Sequence, residues 1–491
     1  MHSRLIDFSL ACMLAFVVAQ LQLQVTAAAA SAASSAATSA SSSIDQTLDE
    51  GAVGSSVVEA SIAKIRATCI FGDDKLFLRR LAYLITRDGY DFNAARLGGI
   101  WRITEAQFKQ TQRSSIYDAQ IRSNFGIDWQ TTTYEDLQKP LLSALAAWMT
   151  VLRHHQTSIP WDTDKQADLW QKVFDPTGTK MTFVNSANQL EQVNDSKTDV
   201  IFLLDGSGSI RSKNFNLMKD FVQSFVGGYE IGHNSSHVGV VVFNESANVK
   251  VPLNNNFAKD QLLTKIKQIS QPKGGTGTSI GLRKVNDMFT SHGRADVPKI
   301  AIIVTDGQSN DFSSTLREAQ RLKDDHVTLF AIGVGTGVKE SELNGMASPP
   351  ICTHVYQLGD FLELTSLRSV LLREAHQAPV FFPQEMPVSV TLQPGMEQKC
   401  NFKIPADEAA VEIAVDKGRC SYYLSAEDYP NAAKYEQKMD VSGGQVKLMT
   451  NITKNNGGSG DGMRYCMMVN DQSVPANVTA TVLKPAEFRL A

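Results

Sequence analysis

The chain has 491 residues, of which 43% are hydrophobic and 20% charged, and its formal net charge is -4. This length predicts about two to four domains, and the composition is typical of globular protein. No block of lysine and arginine residues interrupts the nearly balanced charge. The sequence therefore gives no electrostatic basis for binding nucleic acid.

Residues 1–30 have the pattern of a secretory signal peptide. An apolar core runs from Phe8 to Ala19 after Arg4, and small residues suited to cleavage follow it. A membrane anchor is the alternative, but this core is short for a span, and no later apolar run reaches the ~18 residues that a spanning helix needs. Residues 31–55, rich in Ala and Ser, predict a flexible linker. We therefore expect a secreted, extracellular protein without a membrane span.

Cysteine usage agrees with an oxidising compartment. Apart from Cys12 in the signal peptide, five cysteines remain, and they lack the paired C-x-x-C spacing of a zinc site. Most of them should form disulfides. Because five is an odd number, one is unpaired or pairs between chains, and we expect two of the last three to bridge within the C-terminal region. The candidates are Cys69, Cys352, Cys400, Cys420 and Cys466.

N-glycosylation sequons also fit a secreted protein. A single N-x-S/T sequence arises often by chance, but five occur in this chain. Together with the signal peptide they predict some glycosylation. The acceptor residues are Asn194, Asn234, Asn244, Asn451 and Asn477.

Residues 56–175 predict a mainly helical domain. Leu78, Leu81, Ala82 and Ile85 recur at the spacing of one helix face. All five tryptophans of the chain fall here. Tryptophans this dense can line a sugar-binding groove, but large aromatic side chains more often fill a core, and we favour the core.

One part of this domain resembles lysozyme-like transglycosylase domains. The resemblance rests on the segments 81–89 (LAYLITRDG) and 97–103 (LGGIWRI). In that family a helix ends in a catalytic Glu, but Ile85 or Thr86 stands nearest to that position here, and neither can protonate a glycosidic oxygen. Asp88 and Glu105 are nearby carboxylates without an assigned role. This departure from the family pattern implies a domain that has kept binding and lost catalysis, rather than an enzyme.

From Asp199 onwards the pattern alternates between buried strands and amphipathic helices. Apolar runs such as 200–204, 238–243, 300–304 and 327–334 predict strands of a parallel sheet. Helical spacing of apolar residues between them predicts a doubly wound α/β domain. Ligands of such folds bind outside the carboxyl ends of the strands, and Asp205 and Asp306 each follow such an end.

Five oxygen-bearing residues stand at the predicted strand ends and loops of this domain. Asp205, Ser207 and Ser209 form a D-x-S-x-S motif, Thr276 lies in a Gly-rich loop, and Asp306 follows a later strand. Residue types and order resemble the metal-ion-dependent adhesion site of von Willebrand factor type A domains. The chemistry agrees, since carboxylate and hydroxyl oxygens suit a small hard cation such as Mg²⁺. Turn geometry alone could also explain a D-x-S-x-S sequence.

The resemblance covers residues 198–377 and implies a fold, a metal and a class of partner. It implies Mg²⁺, or Ca²⁺ or Mn²⁺, with one coordination position open to an acidic side chain of a matrix or cell-surface protein, collagen-like partners included. Thr278 is an alternative ligand to Thr276, and Asp306 could also cap a helix. The apolar spacing of residues 361–376 predicts the closing helix, which shifts on ligand binding in adhesion members of the family.

Residues 378–491 predict a β-sandwich. Val388, Val390 and Leu392 alternate with polar residues, and similar alternation recurs near residues 411–415 and 478–482. Turn signals separate these half-buried strands. We found no family resemblance in this part of the sequence.

These features predict a secreted, glycosylated matrix or adhesion protein rather than an enzyme. No H-E-x-x-H sequence, G-x-S-x-G elbow or phosphate loop occurs. Two alternatives remain at this point. One is a glycan-binding or glycan-cleaving protein acting through the helical domain, and the other is a structural matrix component that the odd cysteine cross-links.

Overall fold

The computed structural model describes most of the chain after the predicted signal peptide. The predicted signal peptide, Asn194 and the last residues of the chain lie outside the described part. The described residues are 43–91, 97–113, 117–154, 159–190, 197–254, 257–392, 396–403, 408–426, 428–451, 463–470, 472 and 474–483.

The region after the predicted linker is helical, as its periodicity predicts. Its central helix begins at Pro140, whose missing N–H is harmless in the first turn, and its residues 140–151 are all buried. Trp101, Trp129, Trp148 and Trp170 are buried in one core, which confirms that these aromatics fill the interior. The helices are α1 (Ser55–Thr68), α2 (Phe77–Thr86), α3 (Glu105–Gln112), α4 (Asp118–Phe125), α5 (Pro140–His154), α6 (Thr163–Val173) and α7 (Lys180–Leu190).

The last part of the predicted linker is folded instead of flexible. Strand β1 (Ile44–Asp45) pairs with a later strand of the C-terminal region, and a 3-10 helix follows it at Gln46–Leu48. Thr47 is fully buried and donates its hydroxyl to Asp45 at 2.6 Å. Composition could not show this, because the partner strand lies almost 400 residues away in the sequence.

The central region is a six-stranded sheet with strand order β4-β3-β2-β5-β6-β7. All neighbours pair in parallel except β4, which is antiparallel to β3. The side chains of β2 alternate between two apolar cores, one on each face, so its sequence reads as a continuous apolar run. The strands are β2 (Asp199–Asp205), β3 (His237–Phe243), β4 (Ala247–Val251), β5 (Lys299–Thr305), β6 (Val327–Val334) and β7 (Val355–Leu358).

Helices cover both faces of this sheet, so the doubly wound α/β prediction is confirmed for this region. The predicted closing helix is present as α14, which a 3-10 turn at Phe361–Glu363 precedes. Strands β4 and β7 were not predicted. β4 is an edge strand with mostly exposed side chains, and β7 has only four residues. The helices are α8 (Ser212–Val226), α9 (Lys259–Lys267), α10 (Thr278–His292), α11 (Phe312–Asp324), α12 (Glu340–Met346), α13 (Ile351–His354) and α14 (Leu364–His376).

The C-terminal region is all β, in agreement with the alternating pattern. Seven strands form one hydrogen-bonded sheet, in which the two halves of the long β11 pair with different neighbours, β15 and β14. Both parts contribute to one apolar core. The strands are β8 (Val380–Phe382), β9 (Val388–Leu392), β10 (Glu397–Lys403), β11 (Glu408–Ser425), β13 (Gln437–Asn451), β14 (Met463–Val469) and β15 (Ala476–Leu483), and β12 (Lys434–Tyr435) pairs with β1.

Two disulfides join parts of the chain that are distant in sequence. Cys69, which ends α1, is bonded to Cys352 in α13, so the helical region is covalently linked to the central region. Cys400 and Cys466 pair across β10 and β14, which confirms a bridge between two of the last three cysteines. Cys420 belongs to neither disulfide and is fully buried in β11. Its burial argues against a cross-link between folded chains.

No helix in the described part of the chain is long and apolar enough to cross a membrane.

Candidate metal site

The site begins where β2 ends, at Asp205. This carboxylate is fully buried. Its Oδ1 accepts a hydrogen bond from the Ser207 N–H at 2.8 Å, and its Oδ2 accepts one from the Thr305 hydroxyl at 2.7 Å. Gly206 permits the close turn, because a Cβ there would lie 2.6 Å from Pro272. The turn therefore fixes both oxygens of Asp205 at the carboxyl end of the sheet.

A chain of hydroxyl groups connects the end of β2 to the end of β5. The Ser207 and Ser209 hydroxyl oxygens lie 2.9 Å apart, and the Ser209 hydroxyl donates to Asp306 Oδ1 at 2.7 Å. β2 and β5 are neighbours in the sheet, which is the point where the strand order reverses and where ligands of such folds bind. Four of the five predicted residues are thus brought together directly.

The loop that carries Thr276 packs on the other side of this cluster. The Lys273 N–H donates to Gly206 O and the Gly208 N–H donates to Gly274 O, each at 2.8 Å. The main-chain oxygen of Thr276 accepts a hydrogen bond from the Asn310 N–H at 2.9 Å. The Thr276 loop is therefore connected to both of the loops that follow β2 and β5.

The structure also places the two residues for which the sequence left alternatives open. Thr278 is the first residue of α10 and is only 3% exposed. The helix after β5 begins at Phe312, and its cap is Asp311, whose Oδ1 accepts from the Ser314 N–H at 3.0 Å. Asp306 lies before that cap and is not itself the helix cap.

The electrostatics of the cluster favour an added cation. Burial raises the pKa of Asp205, hydrogen bonds from Thr305 and Ser207 oppose this shift, and the nearby negative charge of Asp306 adds to it. Among the described residues, no lysine, arginine or histidine forms an ion pair with Asp205 or Asp306. Two carboxylates that lack a basic partner are stabilised by a positive ion placed between them.

The donor set fits a hard divalent cation. It combines two carboxylates with serine hydroxyls, and oxygen ligands of this kind suit Mg²⁺, Mn²⁺ or Ca²⁺. Within the described ranges no group of three or more His, Cys, Asp or Glu side chains could hold a metal. A metal here would therefore depend on hydroxyl and water ligands besides the two carboxylates, which leaves it able to accept an outside carboxylate.

Sequence reasoning missed two residues that support the site. The Thr305 hydroxyl donates to Asp205 Oδ2 and fixes its position. The sequence could have indicated this role, because Thr305 directly precedes Asp306. Gln271 donates through Nε2 to the main-chain oxygens of Ser207 and Ile210 at 2.9 and 2.7 Å. Nothing in the local sequence indicated this role, because its partners lie more than 60 residues earlier.

The two carboxylates near the lysozyme-like segment do not resemble a catalytic acid. Asp88 is buried and forms a two-point ion pair with Arg79, at 2.6 and 3.1 Å. Glu105 is exposed at the start of α3 and pairs with Lys109 one turn later, at 2.6 Å. A general acid needs access to substrate, but Asp88 is buried against a guanidinium, and Glu105 is a solvated surface group.

The sequons differ in their surroundings. Asn234 is exposed in a turn before β3, and Asn477 is exposed on β15, where its Oδ1 accepts from the Thr391 hydroxyl at 3.2 Å. Asn451 is the last residue of β13. Asn244 is half-buried directly after β3, beside the Thr276 loop.

The comparison with family models agrees with the geometry of this site. Residues 199–370 match the model described as the von Willebrand factor type A domain. This part of the chain is a von Willebrand factor type A domain. The match begins at the first residue of β2 and ends within α14, so it contains all five residues predicted to bind metal.

Sequence relatives of the type A domain are extracellular matrix proteins. The chain is 33% identical to matrilin-1 of Gallus gallus over 175 residues, which are 35% of each protein. It is 30% identical to the collagen alpha-1(XXI) chain of Xenopus laevis over 199 residues, which are 40% of this chain and 20% of the collagen. The chain thus spans about a fifth to a third of the length of these relatives.

A solved structure also matches part of the chain. Proximal thread matrix protein 1 from the mussel byssus is 31% identical, with a TM-score of 0.35, and the match covers 41% of this chain and 50% of that protein.

Proposed function

We propose that this chain is a secreted extracellular matrix protein whose type A domain binds a partner through a divalent cation. Asp205, Ser207, Ser209, Thr276 and Asp306 hold the cation, directly or through water. Mg²⁺ fits the oxygen ligands best, and Mn²⁺ or Ca²⁺ can take its place. The cation keeps a position open for a carboxylate of the partner, which is a matrix or cell-surface protein and includes collagen-like proteins. The chain acts by binding and not by catalysis.

One observation carries this proposal. The hydroxyls of Ser207 and Ser209 link the buried Asp205 turn to Asp306, and no basic residue in the described part of the chain forms an ion pair with either carboxylate. Two neighbouring carboxylates are stabilised in their ionised form by an opposite charge, and a bound cation would supply it here. The two disulfides support an oxidising compartment, and the matrix proteins among the relatives support the location.

A cation titration of the full chain tests the proposal. We expect Mg²⁺ and Mn²⁺ to raise the unfolding temperature of the wild type, and Ser207→Ala to reduce the rise strongly. Ser212→Ala is a matched control, because Ser212 is exposed at the start of α8 and no side-chain hydrogen bond caps that helix. A wild-type protein whose unfolding temperature does not respond to either cation would overturn the metal site.

A binding experiment tests the partner. Immobilised protein should retain proteins from a matrix extract in Mg²⁺ and release them when a chelator is added. Ser207→Ala should retain much less, and Ser212→Ala should behave like the wild type. Equal retention with cation and with chelator would contradict binding through a shared metal ion.

A further inference from the structure

The turn between β3 and β4 holds the Thr276 loop in place. It consists of Asn244, Glu245 and Ser246, and it contacts the loop on both sides of Thr276. The Glu245 carboxylate accepts from the Gly275 N–H at 3.2 Å, and the main-chain oxygen of Asn244 accepts from the Gly277 N–H at 2.6 Å. The threonine is thus held between two hydrogen bonds to one turn.

The Asn244 side chain adds a third connection and stabilises the turn itself. Its Nδ2 donates to the main-chain oxygen of Lys273. Its Oδ1 accepts from the N–H and the hydroxyl of Ser246, at 2.9 and 3.0 Å. One amide therefore connects the turn to the beginning of the Thr276 loop and uses both its donor and its acceptor for this purpose.

The same three residues form a glycosylation sequon. An N-linked glycan attaches to Nδ2, the atom that donates to Lys273. This nitrogen also lies close to Gly274, since a Cβ on that glycine would be 3.2 Å away. A sugar on Nδ2 would replace an amide hydrogen and would place a pyranose ring against the loop. The glycosylated amide would keep one N–H, but the sugar and the loop would compete for the space around this nitrogen.

We propose that Asn244 is a positioning residue for the metal site and carries no glycan in the cation-binding protein. This inference rests on the proposed function, because it assigns Asn244 to the support of Thr276. The other described sequons that are exposed, Asn234 and Asn477, have no such contact with the Thr276 loop among the described residues. Asn244 differs from them in joining two loops of the cation site.

Four variants secreted from a glycosylating host separate the two roles of Asn244. Asn244→Ala removes the amide and the sequon. Asn244→Ser also removes both, but its hydroxyl can still accept from the Ser246 N–H, so the local turn survives. Ser246→Ala removes the sequon and leaves the Asn244 amide in place. Asn477→Gln removes an exposed sequon on β15, far from this turn in sequence.

The main measurement is the affinity for Mn²⁺, obtained from the electron paramagnetic resonance signal of free Mn²⁺. The unfolding temperature in chelator shows whether each variant is folded. We expect Asn244→Ala and Asn244→Ser to weaken Mn²⁺ binding about 10- to 100-fold, as loss of a residue that orients metal ligands does. Ser246→Ala should lose less affinity than Asn244→Ser, because it removes only the hydroxyl bond to Asn244 Oδ1 and keeps the Nδ2 donation to Lys273. Asn477→Gln should stay within about 3-fold of the wild type. Glycopeptide mass spectrometry should find unmodified Asn244 in the cation-binding wild type.

Three results would overturn the inference. They are a glycan on Asn244 in the protein that binds Mn²⁺, an unchanged affinity in Asn244→Ser, or an equal loss in Ser246→Ala and Asn244→Ser. A wild type that binds no Mn²⁺ overturns the proposed function as well. Wild-type binding together with an unchanged Asn244→Ser variant overturns only the role of Asn244, so the two failures are distinguishable.

Discussion

Two parts of this molecule gather carboxylates, and they compensate the negative charge in different ways. Where the helical region meets the closing helix α14, four carboxylates have arginine partners. Arg79 bonds Asp88 at two points and Glu59 at 2.8 Å, and Arg66 joins Asp74 at 2.7 Å and Glu374 at 3.1 Å. We call this the arginine contact, and its members are Glu59, Arg66, Asp74, Arg79, Asp88, Arg373 and Glu374.

At the carboxyl end of the central sheet the carboxylates have hydroxyl partners instead. Asp205 accepts from Thr305, and Asp306 accepts from Ser209. Hydroxyls satisfy hydrogen bonds but bring no positive charge. The comparison indicates that acidic residues compensated by guanidinium groups hold regions together, whereas acidic residues surrounded by hydroxyls are available to a cation.

The largest effect should come from breaking the arginine contact. Arg79 is 6% exposed, and its replacement in Arg79→Met leaves the buried Asp88 without its two-point partner. Removing one member of a buried pair costs about 3–5 kcal/mol, because the other charge stays desolvated. Urea unfolding followed by tryptophan fluorescence measures this loss of stability. The buried Trp101 is a suitable probe, because its indole N–H donates to the main-chain oxygen of Leu78, which precedes Arg79 in α2.

A surface pair is the matched control for this variant. The Arg122 and Asp128 side chains are 61% and 41% exposed, so Arg122→Met should cost less than about 1 kcal/mol. Adding Asp88→Asn to Arg79→Met should recover part of the lost stability, because the orphaned charge is then gone. Equal effects of Arg79→Met and Arg122→Met would contradict a special role for the arginine contact.

Removing a charge from the cation site should cost the metal-free protein little stability, unlike removing one from the arginine contact. Burial raises the pKa of Asp205, so its ionised form is disfavoured without a cation. In Asp205→Asn the Thr305 hydroxyl can turn and accept from the new amide, and we expect the metal-free protein to stay within about 1 kcal/mol of the wild type. The variant should lose the stabilisation by Mg²⁺, which for a wild type at 100 times its dissociation constant is about 2.7 kcal/mol.

Unfolding of wild type and Asp205→Asn, each with chelator and with excess Mg²⁺, measures both quantities. A variant that is several kcal/mol less stable in chelator would show that Asp205 acts mainly in the fold. The contrast between the two regions would then disappear. Retention of the Mg²⁺ effect in Asp205→Asn would instead place the cation elsewhere.

The sequence predicted the central fold because its signals are local. A continuous apolar run such as that of β2 identifies a strand buried on both faces, and the polar residues after Leu204 and Thr305 mark the strand ends where the loops meet. The order of Asp205, Ser207, Ser209, Thr276 and Asp306 followed from the same local patterns and from the family resemblance.

The arginine contact could not be predicted in the same way. Arg66 and Glu374 are 308 residues apart, and Glu59 and Arg373 are 314 apart. Charged residues on a helix normally face solvent, so nothing in α1 or α14 alone indicated that these would be enclosed. Likewise, β1 is too short to be recognised before its partner β12 is known.

The smallest expected effect is a pH dependence within the arginine contact. Burial alone would raise the pKa of Glu59, but Arg373, Arg79 and Arg66 outweigh it and lower the pKa to about 2. An unfolded glutamate has a pKa of about 4.3. Because the folded value is the lower one, Glu59 stabilises the fold fully above about pH 4.3, and this contribution is lost as the pH falls towards 2. The Glu59 side chain is 33% exposed, so solvent screening keeps the effect modest.

Urea unfolding of wild type and Glu59→Gln from pH 6 to pH 2.5 tests this dependence. The other acidic groups titrate in both proteins, so the difference between the two curves isolates Glu59. We expect the wild type to be more stable at pH 6 and the difference to shrink steadily below about pH 4.3. A difference that stays constant down to pH 2.5 would mean that the arginines do not depress the pKa of Glu59. The side chains of the arginine contact would then stabilise the fold mainly by packing. The Arg79→Met result would be the remaining support for a difference in charge compensation between this contact and the cation site.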